Sequence, residues 1–164
     1  MLKQLQRDQK GLSLIEIIVV LAIMSVVTAG SLIGLSTLSG RNIRSCYSQL
    51  ESYMQETKAE CMTKAYSDTH LTIYTNALGE VYIKKYVSAT EPIAVQIGKK
   101  GLAVAYEMDG VLYDAATRPL ELRFERATGA LKGPDTPNMI RIVDDSGREI
   151  VIRLVKQTGK FYRE

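Results

Sequence analysis

The chemically informative residues of the sequence are Gly11, Leu12 and Glu16. They lie where a short leader meets an apolar run, and Glu16 is the only charged residue between positions 12 and 35. A cut between Gly11 and Leu12 would create an α-amino group one helical turn from the Glu16 carboxylate. In a low-dielectric environment such an ion pair is far stronger than in water. Glu16 could therefore pair with an amine of its own chain or of a neighbouring copy and set the register between subunits.

The apolar run must be helical to satisfy its backbone in a membrane. Its 24 residues (35 − 12 + 1) would span ~36 Å as a helix, enough to cross a hydrocarbon core of about 30 Å. The leader before it carries Lys3, Arg7 and Lys10. By the positive-inside tendency the leader stays in the cytoplasm and the rest of the chain lies outside. The sequence therefore predicts a single-pass protein of the inner (cytoplasmic) membrane, and a plain anchor that tolerates an acid is the simplest alternative.

The same residues resemble the type IV prepilin signature, in which a basic leader ends in glycine and glutamate is the fifth residue after the cut. The resemblance implies that residues 1–11 are a leader peptide, that a prepilin peptidase cuts between Gly11 and Leu12, and that Leu12 is then N-methylated. It implies an assembly role for Glu16. Leu12 replaces the more usual phenylalanine, and Ile33 stands where many pilins have a helix-breaking proline.

The partners that the resemblance implies are other pilin or pseudopilin subunits, the prepilin peptidase and an inner-membrane assembly platform. The protein would be found in the membrane first and then in a pilus or pseudopilus. A secretory signal peptide fits less well, because the run is longer than an ordinary signal core and contains an acid.

Residues 36–66 are predicted to continue the helix as an amphipathic segment. Apolar or small residues recur at steps of three and four, which is typical of a helix with one buried stripe. The stripe consists of Ile43, Tyr47, Leu50, Met54, Thr57, Cys61 and Ala65. Together the two segments predict one helix of roughly fifty residues. Cys46 and Cys61 would lie about 22 Å apart along it, too far for a disulfide.

From His70 onward the apolar residues alternate with polar ones, which indicates β-strands. Six or seven short strands with tight turns, such as Asn76–Gly79 and Asp144–Gly147, predict an antiparallel sheet in residues 67–164. One face of that sheet needs a cover, which the helical stripe can supply. The predicted fold class is α+β, with a long N-terminal helix packed on an antiparallel β-sheet domain.

Catalytic constellations are missing from the sequence. His70 has no cysteine or second histidine at metal-ligand spacing, and we expect it at a surface or strand edge. Asp144 and Asp145 fall in a turn, where aspartate is expected for conformational reasons. There is no phosphate-binding glycine loop and no nucleophile elbow. We therefore expect no enzyme, no metal and no cofactor.

The C-terminal third, from Phe124 to Phe161, resembles the H-type minor pseudopilins of type II secretion. The paired C-terminal cysteines of many major pilins are missing, which favours a minor subunit. Competence-type minor pilins have the same layout, so DNA uptake is an alternative, with Lys160 and Arg163 beside aromatic residues as candidate DNA contacts. A strand end with solvated charges is the plain interpretation of that segment. A membrane-anchored protein of unrelated function is the second alternative.

Overall fold

The structure is a computed structural model that describes residues 14–63, 69–87, 91–133 and 135–164. Within the first range it describes only the backbone at residues 26–39. The chain forms two compact units, one up to Thr37 and one from Leu38 to Glu164.

The N-terminal element is a single helix, α1, which spans Leu14–Thr63 and so has 50 residues. No proline interrupts it, because the first proline of the chain is Pro92. In the second unit α1 buries one stripe at steps of three and four. The buried residues are Ile43, Cys46, Leu50, Met54, Thr57 and Cys61. The predicted stripe is thus confirmed at five positions, but Cys46, which was not assigned to it, is buried and Tyr47 is only partly buried. Ala65 lies outside the described residues.

The described residues after α1 form nine strands in two sheets. The strands are β1 His70–Thr75, β2 Val81–Tyr86, β3 Ala94–Gly98, β4 Leu102–Met108, β5 Val111–Asp114, β6 Leu120–Arg123, β7 Met139–Asp144, β8 Glu149–Val155 and β9 Lys160–Arg163. The first sheet has the order β3-β2-β1-β6 and the second β5-β4-β7-β8-β9. All the pairings are antiparallel. Burial alternates along most strands, for example along β4 and β8, so that one face of each is buried.

The expectation of one antiparallel sheet is wrong, because the chain changes sheets after β3. Strand β3 pairs with β2, whereas β4 pairs with β5 and β7. The crossing requires a close approach at Gly98, where a Cβ atom would lie 2.8 Å from Leu102 Cδ1 and 3.0 Å from Val81 Cβ. The turns Asn76–Gly79 and Asp144–Gly147 do join neighbouring antiparallel strands, as predicted.

The core lies where α1 packs on the buried faces of both sheets. Leu50 and Met54 of the helix belong to the same apolar cluster as Ile73 of β1 and Ile142 of β7. A helix stripe and alternating strands bury their apolar faces against each other, which is the usual way such layers become stable. The fold class is therefore α+β, with the helix packed on antiparallel sheets.

Candidate functional site

Glu16 lies in the first turn of α1 as the structure describes it, and its side chain is exposed. A carboxylate near a helix N-terminus interacts favourably with the helix dipole. Gly11 and Leu12, the residues of the predicted cleavage and methylation site, lie outside the described residues.

Large apolar side chains surround Glu16 on every side of the helix. Leu14, Ile15, Ile17 and Ile18 are 76, 70, 48 and 56% exposed. Successive residues of a helix point about 100° apart, so these four side chains cover the side away from Glu16. Val19 and Val20, which are 49 and 50% exposed, lie beside Glu16 on its own face. Leu21 further along is 63% exposed. Contiguous exposed apolar surface of this kind marks a site that contacts another molecule or a membrane.

As far as the chain is described, α1 included, none of its helices combines the length and the apolar character needed to span a bilayer.

The C-terminal candidates Lys160 and Arg163 lie on β9, which ends the second sheet, and both are exposed. Arg163 also contacts the helix: its guanidinium lies over the ring of Tyr47, 5.7 Å from the ring centroid. Between the two cations Tyr162 is 53% exposed. The structure thus places two cations and an aromatic ring on one short edge strand, which is compatible with both interpretations of this segment.

Strand β9 is tied to the helix by Lys58. The Lys58 ammonium donates to the carbonyl oxygens of Thr158 and Gly159, at 2.8 and 3.0 Å. The contact anchors the turn that precedes β9, so Lys160 projects from an ordered edge.

Asp144 and its turn confirm the conformational role expected for this aspartate. Its carboxylate accepts hydrogen bonds from the Ser146 hydroxyl at 2.6 Å, from the backbone N–H groups of Ser146 and Arg148, both at 3.0 Å, and from the Arg148 Nε–H at 3.0 Å. Burial favours the neutral acid, but these hydrogen bonds outweigh it and lower the pKa of Asp144 below its ordinary value. The carboxylate therefore stabilises the turn between β7 and β8.

The expectation of a surface or edge position for His70 is wrong. The residue is 8% exposed because β1 is flanked by β2 and β6. Its ring stacks on Tyr86 with centroids 4.2 Å apart, and its Nε2 lies 3.7 Å from Glu121 Oε1. Sequence reasoning missed this burial because strand order is a long-range property.

Both cysteines are free and buried, and the prediction of no bridge between them is confirmed. Burial raises the pKa of Cys46 to about 12. Burial also raises the pKa of Cys61, whose Sγ lies 3.1 Å from the carbonyl oxygen of Phe124. Such thiols are poor nucleophiles. Over the described ranges, no group of three or more His, Cys, Asp or Glu residues could hold a metal ion.

Two features of the helix–sheet contact were missed in the sequence. The first is a charged cluster in which Lys85 Nζ of β2 lies 2.6 Å from Glu56 Oε1 and 3.1 Å from Glu60 Oε2. The spacing of Glu56 and Glu60 puts both on one helix face, but their partner Lys85, 29 and 25 residues further on (85 − 56 and 85 − 60), could not be identified from the sequence. The second is a basic groove between α1 and the loop after β3, which is described below.

A comparison with family models gives one match at the N-terminus. Residues 6–32 match the family described as the prokaryotic N-terminal methylation motif. The N-terminal segment is prepilin-like. The match covers Gly11, Leu12 and Glu16 and supports a type IV prepilin-like family whose members are processed by a prepilin peptidase. The motif implies anchoring in a membrane followed by assembly into a pilus.

Neither the curated proteins nor the solved structures that were compared with the chain gave a match.

Proposed function

We propose that the chain is a structural subunit, a minor pilin or pseudopilin, of a type IV pilus-like filament or a type II secretion pseudopilus. One observation carries the proposal. The methylation motif covers the helical stretch Leu14–Met24, whose large apolar side chains are exposed in every direction. A segment with so much exposed apolar surface needs a cover. The inner membrane covers it first, and the helices of neighbouring subunits cover it in the filament.

The parts of the chain have separate tasks in this proposal. The prepilin peptidase removes residues 1–11, and the new amine at Leu12 is methylated. Glu16 then pairs with an amine of a neighbouring subunit and sets the register, since an unpaired carboxylate in an apolar environment is costly. The globular unit supplies surfaces for neighbours. We propose no catalytic activity and no bound cofactor for the chain.

The choice of a minor subunit rests on the C-terminal third. The only cysteines of the sequence are Cys46 and Cys61 on the helix, so a cysteine pair near the C-terminus is absent. The pattern from Phe124 to Phe161 is similar to H-type minor pseudopilins, as described above.

Intact-mass measurement of the protein purified from its native membrane tests the proposal. The expected mass is that of 153 residues (164 − 11), beginning at Leu12 and increased by one methyl group. A Gly11→Val variant, with a bulky side chain before the cut, should keep its leader and serve as the unprocessed standard. A native protein that retains Met1–Gly11 would contradict the proposal.

A competence-type pilin that binds DNA during uptake is the second candidate. The exposed Tyr162 between Lys160 and Arg163 favours it, because cations neutralise phosphates while an aromatic ring stacks on a base. Three or four phosphate contacts would give a log–log salt slope of about −3 to −4 on duplex DNA. Fluorescence anisotropy of the full chain in a neutral detergent, compared with Lys160→Ala/Arg163→Ala, measures that slope. Binding indifferent to the double change would rule this candidate out.

A further inference from the structure

A groove of about 670 Å³ lies between α1 and the loop that leads from β3 into β4, within the unit Leu38–Glu164. The helix contributes Arg41, Asn42, Ser45 and Gln49 to its wall. The loop contributes Lys99 and Lys100. Most of the lining residues therefore carry a polar or charged group, while apolar atoms of the same residues and of Ile97 supply much of the groove surface.

The charges of the groove have one sign. Three cations, Arg41, Lys99 and Lys100, line it, and no acid does. Some other cations of this unit do have acid partners, as Lys85 has in Glu56 and Arg148 in Asp144. Within the described ranges, no carboxylate forms an ion pair with any of the three groove cations. Lys100 also lines a neighbouring depression together with Asp144 and Asp145, so the uncompensated charge of the groove comes mainly from Arg41 and Lys99, and this charge would attract an anion.

Hydrogen bonds hold the two walls of the groove together. Asn42 Oδ1 accepts from the Lys99 N–H at 3.2 Å, and Asn42 Nδ2 donates to the Lys99 carbonyl at 3.4 Å. Gln49 Nε2 donates to the Ile97 carbonyl at 3.3 Å and to the Ser45 hydroxyl at 3.1 Å. The loop backbone is thus fixed against the helix before any ligand arrives, which reduces the entropy cost of binding. The Ser45 hydroxyl acts as an acceptor there and can still donate its proton.

We propose that this groove binds the phosphate group of an anionic ligand. A phosphate offers several acceptor oxygens, which suit one guanidinium, two ammonium groups and a hydroxyl donor. Two sources share this chemistry, namely the headgroup of an acidic phospholipid and a free phosphate. The predicted membrane segment ends at residue 35, six residues before Arg41 (41 − 35). Basic residues next to a membrane segment attract anionic lipid, which favours the headgroup. That choice of source rests on the proposed function, whereas the phosphate chemistry does not.

The test uses the full chain in neutral-detergent micelles and follows the backbone amide signals of Asn42, Gly98 and Lys99 by NMR. One arm adds inorganic phosphate. The other adds short-chain phosphatidylglycerol, compared with phosphatidylcholine of the same chain length. We expect saturable shifts at these amides. A preference for phosphatidylglycerol identifies the headgroup as the source, and saturation by inorganic phosphate without a lipid preference identifies a free anion.

Two variants locate the binding in the groove. Lys99→Ala/Lys100→Ala should weaken it roughly tenfold or more, because it removes two of the three cations that attract the anion. Its control is Arg126→Ala/Lys132→Ala, which removes two exposed cations near Cys61 at the other end of the helix stripe. That control has the same net charge and should bind as the unchanged chain does.

The second variant is Ser45→Asp, which introduces a negative charge at an exposed position of the groove wall. Ser48→Asp is its matched control, since Ser48 is also exposed on α1 and does not line the groove. Ser45→Asp should abolish saturation, and Ser48→Asp should preserve it. The proposal is overturned if neither probe saturates, or if the groove variants and their controls bind alike. Cleavage between Gly11 and Leu12 is measured independently by mass, so failure of this proposal leaves the proposed function standing.

Discussion

The two ends of α1 are both rich in apolar residues, but they distribute them differently. Between Leu14 and Met24 nearly every residue is apolar, and the large side chains are 48–76% exposed. Between Ile43 and Cys61 the apolar residues recur every third or fourth position and are buried. Leu21 is 63% exposed, whereas Leu50 is completely buried. The spacing of apolar residues, more than their number, thus determines whether a helix is covered by its own chain.

The acids of the two ends also differ in their surroundings. Glu16 is exposed among apolar neighbours, whereas Glu56 and Glu60 pair with Lys85 of the sheet. In the second region both apolar and charged groups find partners within the chain. In the described part of the first region the large apolar side chains and Glu16 are exposed, which is compatible with the proposed membrane anchoring and assembly.

The greatest difference in stability is expected between alanine substitutions of two leucines in α1. Leu50→Ala should lower the free energy of unfolding by about 3 kcal/mol, because it leaves a cavity in the core. Leu21→Ala should change it by less than about 0.5 kcal/mol, since the side chain is exposed. The change in helix propensity is the same in both, so it cancels in the comparison. Urea unfolding of the full chain in neutral detergent measures both values, and similar losses would contradict the assignment of the two regions.

Much of the second region could be predicted because its signals are local. The stripe from Ile43 to Cys61 follows from helical spacing, and the hairpin around Asn76–Gly79 follows from alternation and turn residues. Strand β5 was missed although Asp109-Gly110 is a strong turn signal, with positive φ of 51° and 82° at the two residues. Strand β9 was missed because its four residues do not alternate in polarity.

The features that could not be predicted depend on contacts between residues far apart in the chain. Asn42 and Lys99 are hydrogen-bonded across 57 positions, and no local pattern connects them. The division into two sheets and the burial of His70 are of the same kind. Of the candidate site, the spacing of Gly11, Leu12 and Glu16 could be recognised in the sequence, because it is a local motif.

Cysteine labelling tests whether the first region is covered in the cell. In native membranes a Leu21→Cys thiol should react with a charged maleimide at least roughly tenfold more slowly than a Ser48→Cys thiol, because a thiol in an apolar environment does not ionise. The background is low, since Cys46 is buried and its pKa is about 12. After denaturation both introduced thiols should react equally. Equal rates in intact membranes would show that no molecule covers the first region.

Substitutions of Glu16 and Glu56 should have opposite effects on filament incorporation and on stability. Glu16→Gln should reduce incorporation into the filament roughly tenfold, if loss of the pairing with a neighbour's amine costs about 1.4 kcal/mol. It should leave unfolding of the globular unit unchanged. Glu56→Gln should slightly lower the stability of the unit and leave incorporation unchanged. Incorporation is measured as the filament fraction of total membrane protein. If Glu16→Gln is incorporated normally, the hypothesis that Glu16 sets the register between subunits is wrong.

The last prediction concerns a small change in stability on substituting Lys85, which contacts two glutamates where the helix meets the sheet. Burial lowers the pKa of Lys85, but hydrogen bonds and charge interactions with Glu56 and Glu60 raise it more, so the pKa lies above its ordinary value of 10.5. A raised pKa means that the cluster stabilises the fold fully below pH 10.5 and loses this contribution as pH rises through the folded-state pKa. Lys85→Met keeps the apolar stem and should lower stability by about 1 kcal/mol near neutral pH.

The difference in the free energy of unfolding between Lys85→Met and the unchanged chain should therefore shrink as the pH is raised above 10.5. Lys84→Met is the control, because the Lys84 ammonium lies over the ring of Tyr74, 5.3 Å from its centroid, and is in no ion pair with the helix within the described ranges. That variant should change stability by less than about 0.5 kcal/mol at any pH. Urea unfolding at pH 7 and at pH values above 10.5 compares the two. A difference for Lys85→Met that stays constant or grows with pH would mean that packing of the stem, rather than charge, joins α1 to β2 at this point.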